Sequence, residues 1–382
     1  MLVAYHLADQ SLPRYSNKFS RKDFTLPQLF ACLVVKEQMK RSYRGAEALL
    51  ADCQHWCKAI GMRRVPDHNT LWRAASFLLR NCRVDKLLDR VAHWAALARI
   101  LQLSSKPLAA DSTYFESRHV SRHYERRCRQ TRRKSAKSNR RNGGASGAVT
   151  KRQNGGNGRR DSLGRNIGTS ATRSRTTRRL PKLAISVSAA SHLVLSLWTA
   201  TGMGGDHPSF QPVLVDAWRR VPNRRFKAVF DAGFDSEEAH ELARRDLGVR
   251  SIIPAEIGRP SKTGAPPSTR WRRLMKRMLA TAESRKRCGY TQRWQAETVN
   301  SMIKRNQGSA LAGQTAHSRK RDMALKVLTH NVMILKPRVE TEQVANLLTR
   351  RVGRRGHTGR RVHGPTLLPS ALPTSSLRLR TK

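Results

Sequence analysis

Acidic residues are scarce in this chain. Across 382 residues it carries 26 Asp+Glu against 75 Lys+Arg, a formal net charge of +49. Self-repulsion on that scale calls for a polyanionic partner, and nucleic acid fits an otherwise ordinary composition better than a membrane surface or an acidic protein. Long apolar runs are missing too. No stretch approaches the ~18 consecutive apolar residues of a spanning helix, and no basic, apolar and small-residue succession opens the chain as a signal peptide would. The expectation is a soluble, cytoplasmic protein that makes no membrane contact. Cysteine is sparse: Cys32, Cys53, Cys57, Cys82, Cys128 and Cys288 are scattered along the chain, which excludes the dense disulfide framework of a small secreted domain. Cys53 and Cys57 flank His55, but CQHWC lacks the short knuckle spacing and a second ligand pair, so helix packing is favoured over zinc.

What is present divides the chain. Hydrophobic residues make up 38%, enough for one or two cores once the basic low-complexity stretches are set aside. Residues 1–100 read as a helical domain, from the apolar spacing of LPQLFACLVVKEQM, AEALLADCQHWCKAIG and NTLWRAASFLL, with breaks at Pro27, Gly45, Gly61 and Pro66. Pro66 to Asn69 punctuates two helices, and Asn69 or Thr70 can cap the second, which carries Trp72 and Arg73. That pattern is read either as a helix-turn-helix presenting a recognition helix to DNA or as a bundle with no groove contact.

Between residues 117 and 180 the composition shifts to 20 Lys+Arg against Glu125 and Asp161, with much Gly, Ser and Asn. A segment so basic and so poor in apolar residues cannot bury a core, and the expectation is a disordered insertion that holds phosphates without reading sequence. Residues 350–382, with nine Lys+Arg and no acid, read the same way. The rest alternates. LAISVS and HLVLSLW read as a β-hairpin, FKAVFD as a short strand ending at Asp231, DSEEAHELARRDLG as a helix and RSIIPAE as a further strand. PLAADST is an apolar run ending at Asp111. Domain boundaries follow at 1–100, at 101–336 with the insertion at 117–180, and at a basic tail over 337–382.

Asp111 and Asp231 each close an apolar strand, and Glu297 lies on a later helix. Carboxylates at strand ends gather at one edge of a sheet, where a packed helix can add a third. Three oxygen donors suit Mg²⁺, with Mn²⁺ as a substitute, and two such ions can activate a nucleophile and stabilise the leaving oxygen at a phosphodiester. Alone, each Asp is as readily a turn former or cap; Asp235 and Asp206 are read as caps, with a role for Asp206 behind the metal ligands as the alternative. Around Glu297 the stretch GYTQRWQAETVNSMIKR places Tyr290, Arg293, Glu297 and Lys304 within an arc of roughly 60° if it is one α-helix. An exposed ladder of i,i+4 ion pairs is the plain explanation of that face. Trp294 reads either as a base-stacking group or as a packing residue.

The set Tyr290, Arg293, Glu297, Lys304 resembles the Y-x2-R-x3-E-x6-K signature of bacterial insertion-sequence transposases of the DDE class, the group related to the IS-four and IS-five types. AADST at Asp111 and FDAGFDSEE at Asp231 look like that family's two aspartate blocks, in the same order, and VPDHNTLWR and YRGAEALL look like its helical amino-terminal region. The resemblance spans about residues 26–335. It implies an α/β fold with a ribonuclease-H-like catalytic core, a mixed five-stranded sheet flanked by helices, behind a helical DNA-binding and assembly domain. It implies Asp111, Asp231 and Glu297 as the metal triad, and Tyr290, Arg293 and Lys304 as contacts to the phosphates of the transposon end. It also implies a homodimer that joins two transposon ends to target DNA at the nucleoid. The long basic stretch after Asp111 departs from the pattern. Rival readings are a ribonuclease-H-like nuclease without strand joining and a silent DNA-binding protein derived from a transposase.

Overall fold

Alternation along one strand sets the architecture. In the computed structural model, which describes residues 1–117, 180–202, 204–222, 224–255 and 269–339, β1 runs over Leu108–Tyr114. Its residues Leu108 and Ala110 enter the main apolar core, so Asp111 and Thr113 face the other side of the sheet. The expected hairpin forms from β3 (Lys182–Ser188) and β4 (Val194–Ala200), after the two-residue β2 (Glu116–Ser117). Two short strands follow, β5 (Lys227–Val229) and β6 (Arg250–Ile252). The sheet order is β4-β3-β1-β5-β6, antiparallel on the β3 side of β1 and parallel on the β5 side. This mixed five-stranded sheet among many helices is consistent with the ribonuclease-H-like expectation. β2 pairs separately with β7 (Ala310–Leu311).

The first 97 residues are helical: α1 (Leu2–Asp9), α2 (Leu26–Gln38), α3 (Tyr43–Asp52), α4 (Gln54–Ala59), α5 (His68–Leu78) and α6 (Asn81–Leu97). Local chemistry corrects several expected boundaries. Pro27 does not break a helix but sits in the first turn of α2, where its missing N–H costs nothing, behind a capping box of Thr25 and Gln28. Gly45 lies inside α3, whose cap is Ser42, whereas Gly61 does end a helix, at φ 69°. The stretch through Cys53 is two helices rather than one. The cap of α5 is Asp67, which accepts from the Thr70 N–H at 2.9 Å, in place of Asn69 or Thr70. Its carboxylate is held below the usual range by those hydrogen bonds.

After the β3–β4 hairpin come α7 (His207–Arg220), α8 (Glu237–Glu241), α9 (Arg270–Met278), α10 (Ala282–Cys288), α11 (Trp294–Gln307) and α12 (Ala316–Val339). Phe210, Val213, Leu214 and Ala217 of α7 pack on Leu108, Ala110, Ala184 and Phe230. Strand β4 lies at the edge of the sheet, and there the Asn331 amide of α12 accepts from the Val194 N–H and donates to the Val194 carbonyl, both at 2.8 Å. An amide that satisfies both groups of one strand residue blunts that edge.

Residues 1–339 form one unit by packing. Arg220 of α7 reaches Asp85 and Asp89 of α6 at 2.8 and 2.7 Å and donates to the Leu195 carbonyl of β4 at 2.9 Å. Lys326 of α12 is buried; its Nζ lies 2.8 Å from Glu37 of α2 and 2.6 Å from the Gln307 carbonyl that ends α11. Lys36 adds a third contact, 3.2 Å from Glu37. Burial alone would raise the Glu37 carboxyl, but Lys36 and Lys326 outweigh it and hold the group below its ordinary value. The basic insertion, Cys128 and the basic tail lie outside the described residues, apart from the insertion's two margins and the tail's first three residues.

Removing one partner of a buried ion pair strands the other. Glu37→Gln is expected to destabilise the fold by about 3–5 kcal/mol, read as a lower urea midpoint at an unchanged denaturant slope.

Candidate active site

The sheet brings two predicted carboxylates level. Asp111 is not at the end of its strand, as expected, but central to β1, because pairing with β3 continues to Tyr114↔Lys182. On the other side the parallel register stops at Ala109↔Val229, and extending it by two residues sets Asp111 opposite Asp231, just past β5. Asp231 then precedes a 3-10 turn, Ala232–Phe234.

The third carboxylate arrives on α11, which covers the Asp111 face of β1. Asn300 Nδ2 donates to Asp111 Oδ2 at 3.0 Å, and Lys304 Nζ donates to Thr113 Oγ1 at 2.6 Å. From this helix His192, at the β3–β4 turn with φ 63°, receives a second tether: its Nε2 donates to Gln295 Oε1 at 2.6 Å. Tyr290 and Arg293 do not share this α-helix. They occupy a 3-10 turn, Tyr290–Arg293, that follows Gly289 in the left-handed conformation (φ 87°). The turn swings Arg293 toward the sheet, where its guanidinium lies 2.7 Å from Glu297 and 3.8 Å from Asp231. The i,i+4 pair of the plain explanation therefore exists, and it extends to a carboxylate 62 residues upstream. Trp294, at the first position of α11, is 53% exposed and so is not a core residue.

Charge in this cluster is closely balanced. Burial pushes the Asp111 carboxyl up to about 6, against the Ser112 N–H and the Asn300 amide, while Glu297 repels and Arg293 attracts its charge. For Arg293 burial opposes the charge, yet Asp231 and Glu297 outweigh it and raise the guanidinium above its ordinary value. Burial raises the Tyr290 phenol and lowers the Lys304 ammonium, the latter partly offset by Asp111 and Glu116. Asn300 was not singled out in the sequence. An amide one helical turn beyond Glu297 is a signal only when the strand opposite is known.

Two expected caps prove otherwise. Asp206 stands at the N-cap position of α7, but its side chain makes no capping bond; Oδ1 accepts from Lys182 Nζ at 2.6 Å and from the Ser112 hydroxyl. Asp235 leaves the capping of α8 to Ser236, whose hydroxyl accepts from the Ala239 N–H, and pairs with Arg272 of α9 at 2.7 Å. A hydroxyl fits the N3 amide, while a buried carboxylate demands a cation. Next to Asp235, buried His240 hydrogen-bonds Ser251 at 2.8 Å.

Asp111, Asp231 and Glu297 are hard oxygen donors, the set that suits a divalent ion such as Mg²⁺. The Asn300 carbonyl oxygen beside them is buried without a hydrogen-bond partner, an acceptor of the kind a hydrated ion satisfies. Among the described residues, however, no three His, Cys, Asp or Glu already stand close enough to hold a metal, at Cys53 and Cys57 or elsewhere. Here Arg293 rather than a third carboxylate links Asp231 to Glu297. Nor is any helix among the described residues long and apolar enough to cross a membrane.

A family model described as Transposase DDE domain matches residues 108–332, which is β1 through most of α12. The chain belongs to that family. No curated protein and no solved structure matches it. As a DDE-domain transposase it is a nucleic-acid-processing enzyme whose family implies DNA as the substrate. The match contains all six sequence-predicted residues of the transposase, from Asp111 to Lys304, and begins after the helical residues 1–97.

One pH response follows from the turn behind Asp231. Burial, with Arg244 adding to it and Asp235 opposing, depresses His240 from 6.5 to about 4. The unfolded chain therefore takes up this proton first, and the stability His240 confers is complete above pH 6.5 and lost as the pH falls toward 4. Between pH 7 and pH 4 the transposase is expected to lose roughly 3 kcal/mol more than its His240→Gln variant in urea unfolding.

Proposed function

We propose that this protein is an insertion-sequence transposase of the IS-four/IS-five type that binds its element's terminal inverted repeats, hydrolyses a strand at each end and joins the freed 3′-hydroxyl to target DNA. The observation that supports this reading is the parallel register of β1 and β5, which when extended two residues sets Asp111 of β1 opposite Asp231 just past β5, with Glu297 on the helix packed across β1 and in reach of Arg293. Those three side chains would hold the metal. When bound, two Mg²⁺ ions would supply activation of the nucleophile and stabilisation of the leaving oxygen.

The chain's own groups do the rest. Arg293 neutralises Asp231 and Glu297 and offers a planar fork that a phosphate can claim from them. Lys304 supplies a point charge on the Asp111 side, and Tyr290 a phenol kept protonated. Exposed Trp294 stands at the rim, where an aromatic face can stack on a displaced base. Residues 1–100 serve as the DNA-binding and assembly domain. Its α5 exposes Asn69, Trp72 and Arg73, side chains that read or stack on bases, while His68 Nδ1 pins the helix 2.7 Å from Glu47 of α3. The basic stretches at 117–180 and 337–382 add non-specific phosphate binding. Two ends must be cut and joined in one complex, which calls for a homodimer.

Asp231→Asn should abolish Mg²⁺-dependent cleavage of labelled end sequences while leaving their affinity within a few fold. Wild-type cleavage by that variant would refute the metal assignment. With a plasmid target present, joined products identify a transposase, nicks alone a nuclease, and salt-sensitive binding without nicks a silent DNA-binding protein. Lys304→Ala should weaken end-DNA binding and reduce the salt slope of log K by about 1, measured by fluorescence anisotropy.

A further inference from the structure

Behind the carboxylates, on the opposite face of the sheet, a second set of groups converges on Asp206. Lys182 of β3 is buried, with 1% side-chain exposure, and its Nζ is surrounded by Asp206 Oδ1 at 2.6 Å and the carbonyls of Gly204 and Gly205 at 2.7 and 2.9 Å. The same Oδ1 accepts from the hydroxyl of Ser112, the neighbour of Asp111 in β1. Ser112 and Asp111 project to opposite faces, as alternation requires. The other oxygen, Oδ2, faces the turn after Asp231: a Cβ placed on Gly233 would come within 2.7 Å of it. No side chain except glycine's fits there without displacing Asp206, and Asp206 is held by both a buried ammonium and a hydroxyl. One carboxylate therefore touches the strand that carries Asp111 and the turn that carries Asp231, and it contacts neither aspartate.

We propose that Asp206 is a positioning residue: anchored by Lys182, it locks Ser112 of β1 against the Gly233 turn and so fixes the separation of Asp111 and Asp231. This inference rests on the reading of those two residues as metal ligands. It assigns to Asp206 neither a capping role nor a place in the first ring of ligands. An outer partner that orients metal ligands acts through their placement, and its loss costs on the order of 10–100-fold in metal affinity.

Ser112→Ala removes the hydroxyl and leaves the Lys182–Asp206 pair intact, so it tests the lock without stranding a buried charge. In the full chain, Mn²⁺ binding followed by the EPR signal of the free ion should weaken about tenfold, and cleavage at saturating end DNA should slow in step. End-DNA affinity measured without metal, and the melting temperature, should stay at wild-type values. Ser112→Thr, which keeps the hydroxyl, should restore most of both losses. Gly233→Ala, which must push Asp206 aside, should reproduce the defect, and the double variant should be no worse than either single one, because both break the same contact. Wild-type Mn²⁺ affinity in Ser112→Ala, equal loss of metal-free DNA binding, or additive defects would each overturn the proposal. Asp231→Asn separates the two levels. If it still binds Mn²⁺ and cleaves, the triad reading fails; if it does neither while Ser112→Ala does both normally, only the role of Asp206 falls.

Discussion

The buried ammonium of Lys326 is the constraint on which the rest of this structure depends. It joins Glu37 of α2 to the last carbonyl of α11 from its own place on α12, so three helices share one charge balance. Taking these groups from water is costly, and only their mutual satisfaction makes the arrangement tolerable. The helix thus pinned is the one that carries Glu297, Asn300 and Lys304. Lys40 repeats the tie at the surface, donating to the Arg305 carbonyl at 2.8 Å. The amino-terminal helices consequently hold the carboxyl end of the helix that completes the candidate site.

The site shows a division of labour across the thickness of the sheet. One face of β1 carries the candidate ligand Asp111 together with Thr113, and meets Asn300 and Lys304 of α11. The other carries Leu108 and Ala110 into the apolar core and continues to Ser112, where polar contacts begin. Arg293 offsets two carboxylates at once, which keeps a cluster of like charges compatible with a folded state.

Much of this was legible from residue order. Two short apolar runs separated by AAS give the β3–β4 hairpin, and short apolar runs that reach an Asp give β1 and β5, since both signals are local. The spacing of Tyr290, Arg293, Glu297 and Lys304 is local as well, but its geometry was not: Gly289 adopts a left-handed conformation and the next four residues tighten into a 3-10 turn, so two of the four leave the α-helix. The roles of Asp206, Asp235 and Asn300 were hidden for another reason. Each depends on a partner brought from 37 to 189 residues away by the fold, and an acidic residue before a helix looks like a cap until such a cation or hydroxyl is seen beside it. Pro27 misled in the opposite direction, because a proline in the first turn supports the helix it was expected to interrupt.

The way β1 and β3 meet has a consequence for how this chain tolerates change. Phe115 donates its N–H to the Pro181 carbonyl at 2.9 Å, and Tyr114 stands opposite Lys182, so the strand that leaves the sheet and the strand that returns are joined at the point where the long basic segment begins and ends. β2 fastens the departing end again, against β7. A segment whose two ends are already stapled together imposes almost no requirement on its own length, since closing a longer loop costs only slowly more. The sheet therefore works there as a socket. Asp111, six residues before the opening, takes its register from the pairing of β1 with β3 and owes nothing to the length of chain that joins residues 117 and 180.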